Sequence, residues 1–108
     1  MTRFQIEILP EAEAEIREAL VWYLERSPLA ADAFRAEVFD KIDDLAADAD
    51  IWPKDEDGIH FRILNRFPYS VHYDLAGSQV IVLAVSHHRR QPGYWRRRGD
   101  APGGSSDA

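Results

Sequence analysis

No cysteine occurs in the 108 residues, which excludes both a disulfide framework and a thiolate metal site. Long apolar runs are missing as well. Nothing approaches the roughly 20 apolar residues that span a bilayer, and the opening MTRFQIEILPEAEAEI holds no uninterrupted apolar stretch of the kind a secretory leader needs. There is no glycine-rich phosphate loop and no Gly-x-Ser-x-Gly turn, so nucleotide chemistry on such a loop and serine hydrolysis at such an elbow are set aside. Cations are scarce early on: Met1 to Gly58 holds 6 Lys+Arg against 16 Asp+Glu. The formal net charge of −6 does not suit a general nucleic-acid binder. Together these absences predict a soluble, cytoplasmic chain in a reducing compartment, with no membrane contact.

The charge that is present is unevenly placed. Ile59 to Arg98 carries seven arginines against one acid, Asp74, so a balance of −10 over the first 58 residues turns to +6 over the next 40. Such polarity can steer an anionic partner toward one side. At 12.4 kDa with 45% hydrophobic residues, the chain predicts one domain around one core over residues 1–98. Gly99 to Ala108, rich in Gly, Ser, Ala, Pro and Asp, predicts a disordered tail.

Alternation marks the strands. Phe4, Ile6 and Ile8 read as an opening strand; Ile59, Phe61 and Ile63 place three apolar side chains on one face of a second, and Tyr69, Val71 and Tyr73 alternate in the same way in a third. Val80 to Val85 is apolar without alternation, which predicts a strand buried on both faces at the centre of the sheet. Two helices fall between the first strand and the rest. Pro10 opens one, with a stripe of Ala12, Ile16, Leu20, Tyr23 and Leu24 and with Trp22 beside it; Ser27 caps and Pro28 opens the other, with a stripe of Ala30, Phe34, Val38, Ile42 and Leu45. The acids Glu37, Asp40, Asp43, Asp44 and Asp48 read as the solvated face of the second helix. The fold class is therefore α+β: an N-terminal strand, an antiparallel two-helix hairpin, then three antiparallel strands, with the helices packed on one face.

Histidines at 60, 72, 87 and 88 raise the question of a metal. His60 and His72 share strand parity and are expected to meet across neighbouring strands, but no carboxylate stands near them at ligand spacing, so neither a metal nor a cofactor is expected. Metal-free phosphodiester cleavage needs a proton acceptor, a proton donor and cations on the developing charge. His87, Arg89, Arg90 and Tyr94 are the candidates for those roles, and Trp95 is a candidate for stacking on a base.

The ordered set of Arg62, Phe67-Pro68-Tyr69, Tyr73, the apolar strand 80–85 and His87-x-x-Arg90-x-Pro92-x-Tyr94-Trp95, within the order strand, two helices, three strands, resembles the RelE/ParE superfamily of type II toxin–antitoxin toxins, in its plasmid-stabilisation, ParE-like branch. The resemblance spans roughly residues 3–98. It implies a growth-inhibiting toxin held in a hetero-oligomer by a cognate antitoxin. It also implies a target, DNA gyrase for ParE-like members or the ribosome and its messenger RNA for RelE-like ones. Target contacts then fall on Arg62, Arg66, Arg90 and Trp95, and antitoxin contacts on Trp22, Tyr23, Arg96, Arg97 and Arg98. The ribonuclease set is thinned here, with Pro68-Tyr69 where those members usually place an arginine and Lys54 alone in the preceding loop. Gyrase inhibition is therefore the first expectation, a metal-free ribonuclease the second, and an inactive antitoxin-binding module the third.

Overall fold

Two prolines start the two helices. Each sits at the first helical position, where the missing amide proton costs nothing and the fixed φ suits the helix. The computed structural model describes residues 3–90, 92–96 and 98; Arg97 and the tail from Gly99 lie outside the described residues. The elements in chain order are β1 (Gln5–Ile8), α1 (Pro10–Arg26), α2 (Pro28–Asp48), β2 (His60–Ile63), β3 (Tyr69–Ala76) and β4 (Gln79–His87). Ser27 closes α1 through its amide to the Tyr23 carbonyl and caps α2 by accepting the Ala30 amide at 3.2 Å. Ser27→Ala is expected to lower stability by about 1 kcal/mol in urea denaturation, and an unchanged midpoint would show the cap to be energetically idle.

The sheet order is β1-β4-β3-β2, with β4 parallel to β1 and antiparallel to β3, which is antiparallel to β2. β4 is thus central, as its unbroken apolar run implied. A register shift gives the run its lack of alternation: Tyr73 pairs with Val82 and His72 with Ala84, leaving Leu83 as the extra residue of a bulge. Val80, Val82 and Val85 therefore face the helices, while Leu83 and Ala84 belong to a smaller cluster with Trp95. Gly77, at φ +62, makes the tight β3–β4 turn that most side chains resist.

Three expectations about burial are corrected. In β2 the inward side chain is His60 (4% exposed), stacked on its cross-strand neighbour Tyr73 at 4.9 Å, while Ile63 stands half exposed. β2 is an edge strand whose start is bridged by Lys54, so the polar parity turns inward and the apolar one outward. His60 and His72 accordingly lie on opposite faces, since His72 pairs with Phe61. Leu24 is exposed, and the α1 stripe is completed by Ala19 and Glu15 instead. Glu37 is buried rather than solvated, and its carboxylate accepts the amides of Asn65 and Arg66, fixing the β2–β3 loop.

Candidate functional site

β1 stops at Ile8 because Pro10 commits the chain to α1, yet β4 runs on to His87. Among the described residues the edge of β4 beyond Val82 thus has no neighbouring strand, and two side chains take its place. The Val85 amide donates to Glu15 Oε1 at 3.0 Å, and the Leu83 carbonyl accepts from Arg98 Nη1 at 3.0 Å. Arg98 Nη1 also donates to Glu15 Oε1 at 3.1 Å, and the Tyr94 hydroxyl donates to Glu15 Oε2 at 2.6 Å. Arg90 adds a longer ion pair to Oε2 at 3.6 Å. A carboxylate only 8% exposed is tolerated because both of its oxygens accept hydrogen bonds and two guanidinium groups stand against it. Burial, followed by the hydrogen bond to Glu15 and its charge, pushes the Tyr94 hydroxyl well above the usual phenol range.

Above this carboxylate opens a groove of about 480 Å³. One wall is α1, through Ala19, Trp22 and Tyr23; the other is the end of the β3–β4 pair, through Tyr69, Val85 and His87, with Arg90 and Tyr94 closing one side. The walls are stiff because Tyr23, Phe34, Phe67 and Tyr69 interlock with ring centroids 5.1 to 6.4 Å apart. Trp22 is half exposed, its ring edge-on to Tyr23 and covered by the Arg26 guanidinium at 3.7 Å. The Tyr69 and His87 rings meet edge to face at 5.1 Å.

The fold gathers Trp22, Tyr23, His87, Arg90 and Tyr94 at this groove, so residues expected to meet an antitoxin and residues expected to do chemistry share one surface. The remaining candidates stand apart. Arg89 is exposed, and its amide donates to His87 Nδ1 at 3.0 Å. Arg96 pairs with Asp57. Arg66 is exposed on the β2–β3 loop. Arg62 is held over the Trp52 ring at 4.2 Å, donates to the Lys41 carbonyl and reaches Asp44, a setting that braces the α2–β2 region. Trp95 is buried, stacked on His72 at 3.7 Å on the sheet face away from the helices, and so presents no surface for a base to stack on. Arg97 lies outside the described residues. The four histidines have separate partners: His60 meets the Trp52 carbonyl, His72 the Ser86 hydroxyl, His88 the Ser70 hydroxyl, and His87 the Arg89 amide.

Glu15 is the member absent from the expected set, since it stands with Glu11 and Glu13 near the α1 N-terminus, where acids are ordinary. Its spacing was the available signal: it falls three residues after Ala12 and four before Ala19, on the buried stripe.

A helical hairpin packed on a mixed four-stranded sheet, with a stiff groove beside the end of the central strand, defines a small α+β domain with a candidate binding face. The sequence matches the family described as the ParE toxin of the type II toxin–antitoxin system parDE over residues 6–92, and the chain belongs to that family. A solved chain from the chromosomal ParDE TA system of P. aeruginosa is similar in fold, with a TM-score of 0.70 at 17% identity, covering 79% of this chain and 96% of that one. No curated protein matches the sequence. Among the described residues no helix is long and apolar enough to cross a membrane.

Proposed function

We propose that this chain is the growth-inhibiting member of a toxin–antitoxin pair, that a cognate antitoxin neutralises it by filling the groove between α1 and the β3–β4 end, and that its target is DNA gyrase. Membership of the ParE family carries the first part of the reading. The non-nucleolytic part is supported by the state of Tyr94. A general acid must release its proton to the leaving oxygen, whereas this hydroxyl is committed to Glu15 and held above its ordinary pKa. Arg98, a second cation near it, is committed to the same carboxylate and to the Leu83 carbonyl.

One observation favours a second reading, metal-free RNA cleavage: His87 and Arg90 line the same groove, as an acid–base group and a phosphate-binding cation would. The two readings give different cells. Induced expression alone is expected to arrest growth and block supercoiling by gyrase with transcripts intact, and co-expression of the antitoxin is expected to restore growth. Transcript cleavage lost in His87→Ala and Arg90→Ala would transfer the conclusion to the ribonuclease. Unimpeded growth at high soluble expression would remove toxicity altogether and leave a module that only binds its antitoxin.

A further inference from the structure

We infer that Arg90, with His87 beside it, is the anion-reading element of the groove, and that it takes an Asp or Glu carboxylate from an apolar segment of the antitoxin. This rests on the reading of the groove as the antitoxin face. The basic C-terminal segment as a whole was the expected electrostatic contact, but its arginines are not equally available. Arg96 is engaged by Asp57, and Arg98 is wedged between Glu15 and the Leu83 carbonyl with 18% of its side chain exposed. A partner would have to break those contacts to use either.

Arg90 lines the groove, which Arg96 and Arg98 do not. Half of its side chain is exposed, its guanidinium lies 4.0 Å over the Tyr94 ring, and its ion pair to Glu15 at 3.6 Å is longer than a charge-assisted hydrogen bond. The ring and the buried carboxylate thus orient the guanidinium without saturating its five donors. His87 offers a second donor: its Nδ1 accepts the Arg89 amide, so the neutral ring carries its proton on Nε2. Next to these polar groups Trp22, Tyr23, Pro68 and Tyr69 form an apolar wall. The complement of such a surface is a bulky apolar side chain with a carboxylate close by in the same segment. A nucleic acid would bring phosphates for the same arginine, but Glu15 and Glu18 line the groove and the chain is acidic overall, which disfavours a polyanion. The chain's own tail, with Asp100 and Asp107, is another carboxylate source that the experiment must separate.

The probe is the cognate antitoxin, titrated calorimetrically against the full chain at low and high salt. Arg90→Gln is expected to weaken binding about tenfold and to flatten its salt dependence, while Arg96→Gln stays within about twofold. Arg90→Glu is expected to regain affinity against a probe in which one acid of the docking segment is changed to arginine, a rescue that a fold defect could not give. Arg90→Gln binding like the wild type, or Arg96→Gln losing more, overturns the assignment. Removal of residues 99–108 is expected to leave affinity unchanged, and a tenfold gain would make the tail the occupant. A single-stranded oligonucleotide that displaces the probe would also overturn it. A wild-type chain that does not bind the probe takes down the antitoxin reading and this proposal together.

Discussion

Glu15→Ala is expected to destabilise the protein by about 3 kcal/mol, the lower end of the range for removing one side of a buried ion pair. The low end applies because one of its cations, Arg90, is half exposed and can return to water. The others cannot do so easily. Removing the carboxylate leaves the Val85 amide without an acceptor at the uncovered edge of β4, leaves the Tyr94 hydroxyl without its partner, and leaves Arg98 with the Leu83 carbonyl alone. Glu15→Gln keeps an acceptor oxygen for either the amide or the hydroxyl but loses the charge that holds Arg98, so a smaller loss is expected. Urea denaturation measures both. Hydrogen exchange adds a local readout, since the protection of the Val85 amide is expected to fall in Glu15→Ala before that of β3 does. A midpoint within about 0.5 kcal/mol of wild type would mean that water replaces the carboxylate without penalty and that the strand-edge role is wrong.

The same carboxylate marks where sequence reading stops. Helix starts were legible because Pro10, Ser27 and Pro28 act locally, and the central strand was legible because only a strand covered on both faces tolerates six consecutive apolar residues. Long-range polar pairing has no such local mark. Glu15 and Glu37 look like their solvated neighbours until the fold brings the 83–98 segment to one and the 65–66 amides to the other. The facing of β2 has a related cause. Its alternation has the period of two that marks a strand, but which parity faces the core depends on what covers an edge strand, and here Trp52 and Tyr73 receive Arg62 and His60. The candidate site was legible as a set of residue types at the end of β4; its division into Arg90, open to a partner, and Arg96 and Arg98, held internally, was not.

Acidification is expected to weaken the fold through His72, and the sign follows from which state binds the proton. Burial under Trp95 lowers the His72 pKa to about 4 from its ordinary 6.5; the charge of Asp55 opposes the shift and that of His88 adds to it. Above pH 6.5 the ring is neutral in both states, so its environment costs nothing in proton binding. Below 6.5 the unfolded chain takes up a proton that the folded one refuses until about pH 4, and stability falls by about 1.4 kcal/mol per pH unit across that window, a total of about 3 kcal/mol. Denaturation midpoints at pH 7 and pH 4.5 read the effect, with His72→Phe as the reference because it retains an aromatic ring against Trp95 but cannot titrate. The wild type is expected to lose more than the variant over this interval, and equal losses would place the acid sensitivity elsewhere. Among the described residues neither the buried His72 Nδ1 nor the buried Trp95 Nε1 has a hydrogen-bond partner, so charging the imidazole would place an unsolvated cation against the indole. The segment that loosens first is then the one Trp95 anchors, which also carries Tyr94 and Arg98 to Glu15. Acid is therefore expected to open the uncovered edge of β4 and the groove beside it before the helical hairpin unfolds, and loss of Tyr94 ring contacts ahead of far-UV helicity in a pH titration would show that order.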